Sequence, residues 1–364
     1  MHIDRRIIYS AAACSIAFSY IIHYPLFSSP IYSDIVSFWY KGFWKPEIPY
    51  LELPFEYPPL AGFLTYLSAV LGRDLVAYYT IFSLIIAGFY FLLVEITVRL
   101  CKMRRVDLGY VLVFLILSPS ILLYTIYNFD MIFAALLILS IYLLMKGRAK
   151  LSAIIFSITS LVKLVNILAI PFILEYLEDW KDRIAYLLLS IGVFGAVNIA
   201  LWYANPSFID ETYLYHLRWG LENAWFLVFF PDEKTWNTAK LFSLALLCYG
   251  LLKVYARECA DLPTRMFMIL SVFLLSSYVF TPQMVLWLLP LLAVMGRLPI
   301  PYFAFELANS AIILLWFEEP NPLQLGALPQ YFAILRAVML FIILVEVYRG
   351  VERFKPIKVY EEYF

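Results

Sequence analysis

Residues 31–60 read IYSDIVSFWYKGFWKPEIPYLELPFEYPPL and form a polar, aromatic and proline-rich stretch in an otherwise apolar N-terminal quarter. The stretch carries Asp34 near its start and ends in the compact turn Glu56-Tyr57-Pro58-Pro59. Prolines fix φ and stiffen the entry into residues 60–72, so the turn is predicted to be structural. We expect the functional site of the protein to lie in this polar segment, because the rest of the N-terminal quarter is apolar.

The composition indicates an integral membrane protein. Of 364 residues, 63% are hydrophobic and 15% are charged, and the mean hydropathy is +0.82. Soluble domains are about half apolar and about a quarter charged. The formal net charge of zero gives no reason to expect a nucleic-acid partner. The four cysteines are Cys14, Cys101, Cys248 and Cys259. They are scattered without pair spacing, so neither a disulfide framework nor a metal-binding cysteine pair is indicated.

The apolar segments predict an all-α, polytopic transmembrane bundle with about 10–12 spans, because about 20 apolar residues cross a bilayer core. Residues 1–364 are predicted to form a single transmembrane domain, since no segment is long and polar enough for a soluble one. The candidate spans are 7–24, 75–98, 108–124, 131–145, 184–203, 238–256, 264–280, 283–295, 298–317 and 330–348.

Two further segments are too short or too interrupted to be simple spans. Residues 60–72 are predicted to lie at the membrane interface, giving the first outer loop short interfacial helices. Residues 151–174 are interrupted by Lys163 and Asn166. They are read as two short helices that meet at a break, with one kinked span as the alternative.

The basic residues predict the orientation, because short cytoplasmic loops are enriched in Lys and Arg. If the spans alternate, both termini are cytoplasmic and the loops 25–74 and 204–237 are extracytoplasmic. The N-terminal MHIDRRIIYS has no small-residue cleavage site after its apolar run, so a retained first helix is predicted. The clusters on the cytoplasmic side are Arg5/Arg6, Arg99–Arg105, Lys146–Lys150, Arg257/Arg265, Arg297 and Arg349–Lys358.

Asp34 is the first candidate for function. As a catalytic carboxylate at the membrane surface, it would gain basicity from partial desolvation and could take a proton from a hydroxyl group. As a structural residue, Ser33 or Asp34 would cap a helix over 35–43.

Lys163 and Arg336 are charges inside apolar segments. Such charges are costly and usually face a cavity or a partner. Lys163 is therefore expected to hold an anion such as phosphate, and Arg336 has a weaker claim to the same role. The structural alternative is that Lys163 snorkels to the interface.

Other polar residues of the outer loops have both a structural and a functional interpretation. Glu56 would either lie on the solvated face of a loop or contact the substrate. Asn128 and Asp130 would either form a polar turn or contact the substrate. His216 and Arg218 lie in an amphipathic, aromatic segment that suits interfacial anchoring. Gln283 would cap the span that follows Pro282.

The chain contains no P-loop, GxGxxG, GxSxG or HExxH motif. Its three histidines form no metal-binding cluster with cysteine.

Four features occur together in the chain: the acid of the first outer loop, the YPPL turn, YNFDMIFAALLILSIYLLMKGRAKLSAIIFSITSLVKLVNILAIPFIL and TPQMVLWLLPLL. In this combination they resemble a GT-C-superfamily glycosyltransferase, and most of all the family 87 polyprenyl-phosphate-mannose-dependent mannosyltransferases of archaeal type. The resemblance covers 30–175 and 275–295, whereas the loop 204–237 and the last two spans match poorly.

The resemblance implies roles for individual residues. Asp34 would be the catalytic base and Lys163 would bind the donor phosphate, although Val165-Asn166 replaces the Tyr-Pro usual after that lysine. Many relatives have His where this chain has Gln283, which could bind phosphate only as a neutral donor. Asp34-Ile35-Val36 is not a DxD motif, so no metal cofactor is expected.

The remaining implied site residues fall in two groups. Arg218 and His216 would join Lys163 and Gln283 as donor phosphate-binding residues. The substrate-binding residues would be Tyr57, Glu56, Asn128, Asp130 and Trp39.

The implied function is an inverting transfer of a sugar, mannose by the resemblance, from a polyprenyl-phosphate donor to an acceptor hydroxyl at the extracytoplasmic face of the cell membrane. The acceptor would be a glycolipid, a glycan or a protein. A transporter or flippase of a lipid-linked sugar or small solute is the alternative from another class, because it would explain Lys163 and Arg336 as cavity charges. A non-catalytic assembly subunit is the third possibility.

Overall fold

Helices make up 74% of the chain in a computed structural model, which describes residues 4–27, 31–258 and 261–350. Within these ranges there is no β-strand, only the isolated bridges Pro49–Leu53 and Glu222–Val279. The predicted all-α polytopic fold is therefore confirmed. The predicted basic cluster beyond Gly350 and the residue Cys259 lie outside the described residues.

The α-helices of the described residues are, in chain order, α1 (Arg5–Ile22), α2 (Asp34–Phe38), α3 (Pro59–Gly72), α4 (Leu75–Met103), α5 (Gly109–Leu115), α6 (Pro119–Tyr124), α7 (Asp130–Met145), α8 (Ala149–Ser160), α9 (Ile170–Tyr176), α10 (Trp180–Ala204), α11 (Trp236–Tyr255), α12 (Leu262–Ser276), α13 (Leu289–Met295), α14 (Tyr302–Trp316) and α15 (Leu328–Arg349). A π-helix follows α2 at Trp39–Phe43.

Four helices in the described part of the chain are long and apolar enough to cross a membrane by themselves: α4, α10, α15, and Glu233–Tyr255, which contains α11. The other apolar helices that are 10–17 residues long are Pro59–Gly72, Asp130–Met145, Ala149–Ser160, Leu164–Tyr176, Leu262–Ser276, Pro282–Met295 and Tyr302–Trp316. The bundle is thus built from a few long helices and several short or broken ones.

Proline breaks two segments that were predicted to be continuous spans. Segment 108–124 divides into α5 and α6, and Pro119 is at the start of α6. A proline ring disfavours helical geometry in the preceding residue, so the first helix ends before it. Segment 283–295 is likewise a 3₁₀-helix, Pro282–Trp287, followed by α13.

The predicted break near Lys163 is confirmed. Helix α8 ends at Ser160, Lys163 is extended (φ −154°, ψ 141°), and a 3₁₀-helix runs over Leu164–Ala169. Asn166 donates to the Phe156 carbonyl (3.0 Å) and to the Ser160 hydroxyl (3.0 Å). These two bonds tie the 3₁₀-helix back to the last turn of α8 and fix the geometry of the break.

The proline turn connects the first long loop to this break. The Tyr50 hydroxyl lies 2.9 Å from the carbonyl oxygens of Tyr57 and Pro58, and it accepts a hydrogen bond from the Gly62 amide (3.1 Å). The Leu60 amide donates to the Leu161 carbonyl (2.8 Å). The start of α3 is thereby held two residues from Lys163.

Substitution of Gly62 is expected to destabilise this turn. A Cβ atom at Gly62 would lie 2.2 Å from the Tyr50 hydroxyl oxygen, so Gly62→Ala should lower the free energy of unfolding by about 1–3 kcal/mol. Thermal unfolding of the purified protein in detergent measures the loss. Gly192→Ala is the matched control, because nothing lies within 4 Å of its Cβ position. Equal midpoints for the two variants would contradict the packing argument.

The helix directions gather the polar residues at one end of the bundle. Asp34 follows the C-terminus of α1, Asp130 begins α7, and Lys163 follows the C-terminus of α8. The basic residues Arg5, Arg99 and Lys146 lie at the opposite ends of α1, α4 and α7. One end of the bundle therefore carries the two aspartates and Lys163, and the opposite end carries basic residues.

Candidate active site

Asp34 is held by the turn between α6 and α7. The Ile35 amide donates to the Tyr127 carbonyl (3.2 Å), and the Asn128 side-chain amide donates to Asp34 Oδ2 (3.1 Å). Ser33 occupies the N-cap position of α2 and makes no side-chain capping bond. Ser33 thus holds the predicted N-cap position by its backbone alone, whereas the Asp34 carboxylate is oriented by Asn128.

The environment makes Asp34 a stronger base than an exposed aspartate. Burial raises its pKa to about 6, with a smaller upward contribution from Asp130. The hydrogen bond from Asn128 and the charges of Lys41 and Lys163 act in the opposite direction. A carboxylate with a pKa of about 6 is still ionised at neutral pH and accepts a proton more readily than usual.

Asn128 connects Asp34 to a second, fully buried carboxylate. Its Oδ1 atom accepts a hydrogen bond from the Asp130 amide (2.8 Å). Asp130 Oδ1 in turn lies 2.9 Å from Lys163 Nζ and accepts a bond from Trp287 Nε1 (2.7 Å). Asp130 Oδ2 is buried without a hydrogen-bond partner among the described residues. One continuous chain of contacts therefore runs from Asp34 to Lys163.

The Lys163 ammonium is directed into the protein. It lies 5.5 Å from the centre of the Phe129 ring and 5.2 Å from that of Trp287, and only 13% of the side chain is exposed. Aromatic faces attract a cation and are most effective where water is scarce. Lys163 is thus held by Asp130 and two rings, so it does not snorkel to the interface.

Gln283 lies in the same short 3₁₀-helix as Trp287. It is buried, and its Oε1 atom has no hydrogen-bond partner in the described structure. The helix begins with Pro282, whose carbonyl accepts a bond from Asn309 (3.0 Å). Gln283 therefore lies in the same 3₁₀-helix as Trp287, the residue that donates to Asp130. The N-cap position of this helix is occupied by Thr281, so Gln283 is not its cap.

His216 lies beside Tyr57, within electrostatic reach of Lys163. Its ring packs at 5.6 Å from Tyr57 and 4.9 Å from Trp219. Burial lowers the pKa of His216, and the charge of Lys163 lowers it further. The imidazole is thus neutral at physiological pH and can serve only as a neutral hydrogen-bonding group.

Arg218 is exposed and lines a separate cleft of about 170 Å³. The other lining residues are Pro54, Phe55, Glu56, Asp210, Glu211 and Tyr215. Glu56 also accepts a salt bridge from Lys41 at 2.7 Å. The structure thus groups Arg218 with Glu56 in this cleft, whose lining does not include Lys163.

Tyr57 and Trp39 occupy different positions relative to Asp34. The Tyr57 ring packs edge-on against Phe129 at 4.6 Å. Burial raises the Tyr57 pKa far above its usual value, and the charge of Asp34 adds to the shift. Trp39 packs at 5.1 Å against Tyr78 of α4. Tyr57 thus lies within electrostatic reach of Asp34 and Asp130, whereas Trp39 anchors the loop to α4.

Glu222 is a third carboxylate that the sequence analysis did not select. Burial and, to a smaller extent, the charge of Asp34 raise its pKa to about 7 against the opposing charge of Arg336. The Glu222 backbone pairs with Tyr278 and Phe280 through bonds of 2.9 Å. In the sequence, Glu222 lies in an aromatic segment that suits anchoring at the membrane interface. No local pattern there distinguishes Glu222 from an ordinary loop carboxylate.

Arg336 anchors the loop that carries Glu222. It is buried and donates to Asn309 Oδ1 (2.9 Å) and to the carbonyls of Asn223 (3.2 Å) and Phe280 (2.5 Å). Its guanidinium also stacks 3.6 Å from the centre of the Phe280 ring. The sequence predicted an anion as the partner of Arg336, but its partners in the structure are a neutral side chain and two backbone carbonyls.

The described residues contain no group of three or more His, Cys, Asp or Glu side chains arranged to hold a metal ion. The metal independence of the protein remains a prediction.

No protein-family model matches the chain. Its fold is similar to that of a solved GT-C glycosyltransferase. That protein is ArnT from Cupriavidus metallidurans in the apo state, with a TM-score of 0.50, 13% sequence identity and coverage of 95% of this chain and 78% of ArnT. ArnT bound to undecaprenyl phosphate gives a TM-score of 0.49 at 14% identity, covering 94% and 76%. The likeness shows a common fold, and the resemblance to family 87 remains a prediction.

Proposed function

We propose that this protein is an inverting glycosyltransferase that moves a sugar from a polyprenyl-phosphate donor to an acceptor hydroxyl. The observation that carries the proposal is the chain of contacts from the basic carboxylate of Asp34 through Asn128 and Asp130 to the cation of Lys163. Glycosyl transfer needs these two chemical functions, a base at the acceptor and positive charge at the leaving group. A fold of the ArnT type supports the same class of reaction.

In the proposed reaction, Asp34 takes the proton of the acceptor hydroxyl as its oxygen attacks the anomeric carbon. The bond between that carbon and the donor phosphate oxygen breaks through an oxocarbenium-like state, and negative charge grows on the departing phosphate. Lys163 stabilises that charge, and the polyprenyl phosphate leaves. A single displacement inverts the anomeric carbon.

The surrounding residues have supporting roles in this proposal. Asp130 and Trp287 hold Lys163 in position, while His216 and Gln283 offer neutral donors near the leaving phosphate. Tyr57 forms a wall against the sugar. Arg218 and Glu56 line the neighbouring cleft, which would receive the acceptor.

The finer features of the proposal rest on the sequence resemblance and on the charge distribution. Mannose as the sugar, the archaeal family 87 type and metal independence follow from the motifs. A cytoplasmic location of both termini and an extracytoplasmic site follow from the basic residues at the end of the bundle opposite Asp34.

The transporter alternative rested on Lys163 and Arg336 as charges in a cavity. Lys163 contacts Asp130, and Arg336 contacts Asn309 and two backbone carbonyls. Arg336 is thus satisfied by protein groups, and the proposed transfer accounts for Lys163, so we do not propose transport as the function.

The test is transfer by the purified full-length protein in lipid nanodiscs. Synthetic polyprenyl-phosphate mannose, glucose and galactose are offered with a panel of lipid-linked and free glycan acceptors, and products are identified by mass spectrometry. Transfer of a sugar with inverted anomeric configuration supports the proposal. Movement of the donor across proteoliposomes without any covalent product would instead favour the transporter.

The pH dependence of transfer should report the ionisation of Asp34. Because Asp34 must be unprotonated to act as a base, kcat/KM is expected to fall about tenfold per pH unit as the pH drops through about 6. Steady-state rates between pH 5 and pH 8 measure this limb. The charge of Lys41 lowers the pKa of Asp34, so Lys41→Gln should move the limb to higher pH by removing a nearby cation. A flat profile across this range would contradict the role of Asp34.

A further inference from the structure

The end of the bundle opposite Asp34 contains a cavity of about 270 Å³. Four of its six lining residues are cations, and the full lining is Arg5, Arg99, Lys102, Met103, Tyr142 and Lys146. We call this space the basic cavity. Neither the site described above nor the proposed reaction uses any of its residues.

Three separate helices form the basic cavity. Arg5 is the first residue of α1, Arg99 and Lys102 lie in the last turns of α4, and Lys146 follows α7 as its C-cap. Helix α4 is long and apolar enough to cross a membrane. Its last turns therefore lie at the depth of the lipid headgroups, where phosphate groups are concentrated.

The protein neutralises this cluster only in part. Glu95 accepts a hydrogen bond from Arg99 at 2.5 Å and another from Tyr9. Arg5, Lys102 and Lys146 have no ion-pair partner within 4 Å in the described ranges. Like charges gathered around one cavity repel each other unless an anion lies between them.

Helix dipoles explain some of these cations but not all. Lys102 and Lys146 lie at helix C-termini, where the dipole favours positive charge. Arg5 lies in the first turn of α1, where the dipole disfavours a cation, and the N-cap carboxylate of Asp4 offsets part of that effect. The repulsion among the four cations of the basic cavity remains, and a bound anion would offset it.

We propose that the basic cavity binds a phosphate group, carried either by an anionic membrane lipid or by a free phosphate. Lys and Arg side chains are the usual partners of phosphate, and basic pockets between transmembrane helices accept lipid headgroups. Met103 supplies an apolar wall that suits the start of a lipid acyl chain. This site is independent of the proposed glycosyltransferase activity.

The test uses the full-length protein, purified in detergent and stripped of lipid. Binding of phosphatidic acid, phosphatidylcholine and inorganic phosphate is measured by native mass spectrometry and by the thermal unfolding midpoint. Phosphatidic acid should bind at least tenfold more tightly than phosphatidylcholine. The variant Lys102→Gln/Lys146→Gln should lose this tenfold preference while keeping its gel-filtration profile.

The matched control is Arg148→Gln/Lys150→Gln, which removes the same charge at the same end of the bundle, outside the lining of the cavity. It should weaken binding less than twofold. Specific binding of phosphatidic acid alone identifies a lipid headgroup, and equal effects of millimolar inorganic phosphate identify a free phosphate. Equal losses in the two double variants, or no preference over phosphatidylcholine, would overturn the proposal.

Discussion

Replacing Asp34 with Asn is expected to lower the rate of sugar transfer by about a hundred- to ten-thousandfold, the contribution typical of a positioned general base. The amide keeps the shape of the side chain and still accepts the hydrogen bond from Asn128. It cannot take a proton from the acceptor hydroxyl. Initial rates with a synthetic polyprenyl-phosphate sugar, at saturating and subsaturating acceptor, measure the loss.

The control for this variant is Glu52→Gln in the same loop. Glu52 is an exposed carboxylate that accepts a bond from the Ile48 amide (2.8 Å), and a glutamine oxygen can accept the same bond. Glu52→Gln should therefore transfer sugar at the unmodified rate. Undiminished activity of Asp34→Asn, in a protein that keeps its unfolding midpoint, would remove Asp34 from the mechanism.

The sequence predicted those features of the fold that depend on local chemistry. Long apolar runs became helices, since a backbone in lipid must satisfy its own hydrogen bonds. Lys163 and Asn166 marked a break because polar side chains in an apolar run need polar partners, and here Asn166 bonds back to α8 while Lys163 pairs with Asp130. The division of 108–124 into α5 and α6 was also readable at Pro119, and the prediction of one span gave too little weight to that residue.

Other features of the candidate site depend on tertiary contacts that no local pattern contains. The apolar context of Arg336 indicated an anion-binding role, yet its partners are Asn309 and the carbonyls of Asn223 and Phe280. These groups lie on three distant segments. Glu222 was not selected for the same reason, because its electrostatic coupling to Asp34 arises only when the loop folds over the bundle.

Replacing Lys163 with Met is expected to lower sugar transfer by about a hundred- to a thousandfold, the loss typical when one group that stabilises developing charge is removed. The same change leaves the buried Asp130 carboxylate without its cation. Breaking one partner of a buried ion pair costs about 3–5 kcal/mol, so loss of activity in this variant alone would not separate catalysis from folding. Transfer rates and unfolding midpoints must be measured on the same samples.

The double variant Lys163→Met/Asp130→Asn separates the two effects. Removing both charges of a buried pair is often neutral or stabilising, and the side-chain amide oxygen introduced by Asp130→Asn can still accept the bond from Trp287. The unfolding midpoint should therefore recover toward that of the unmodified protein while transfer stays low, because the leaving phosphate still lacks its cation. Recovery of both quantities would mean that Lys163 serves only to neutralise Asp130, and another cation would have to stabilise the leaving group.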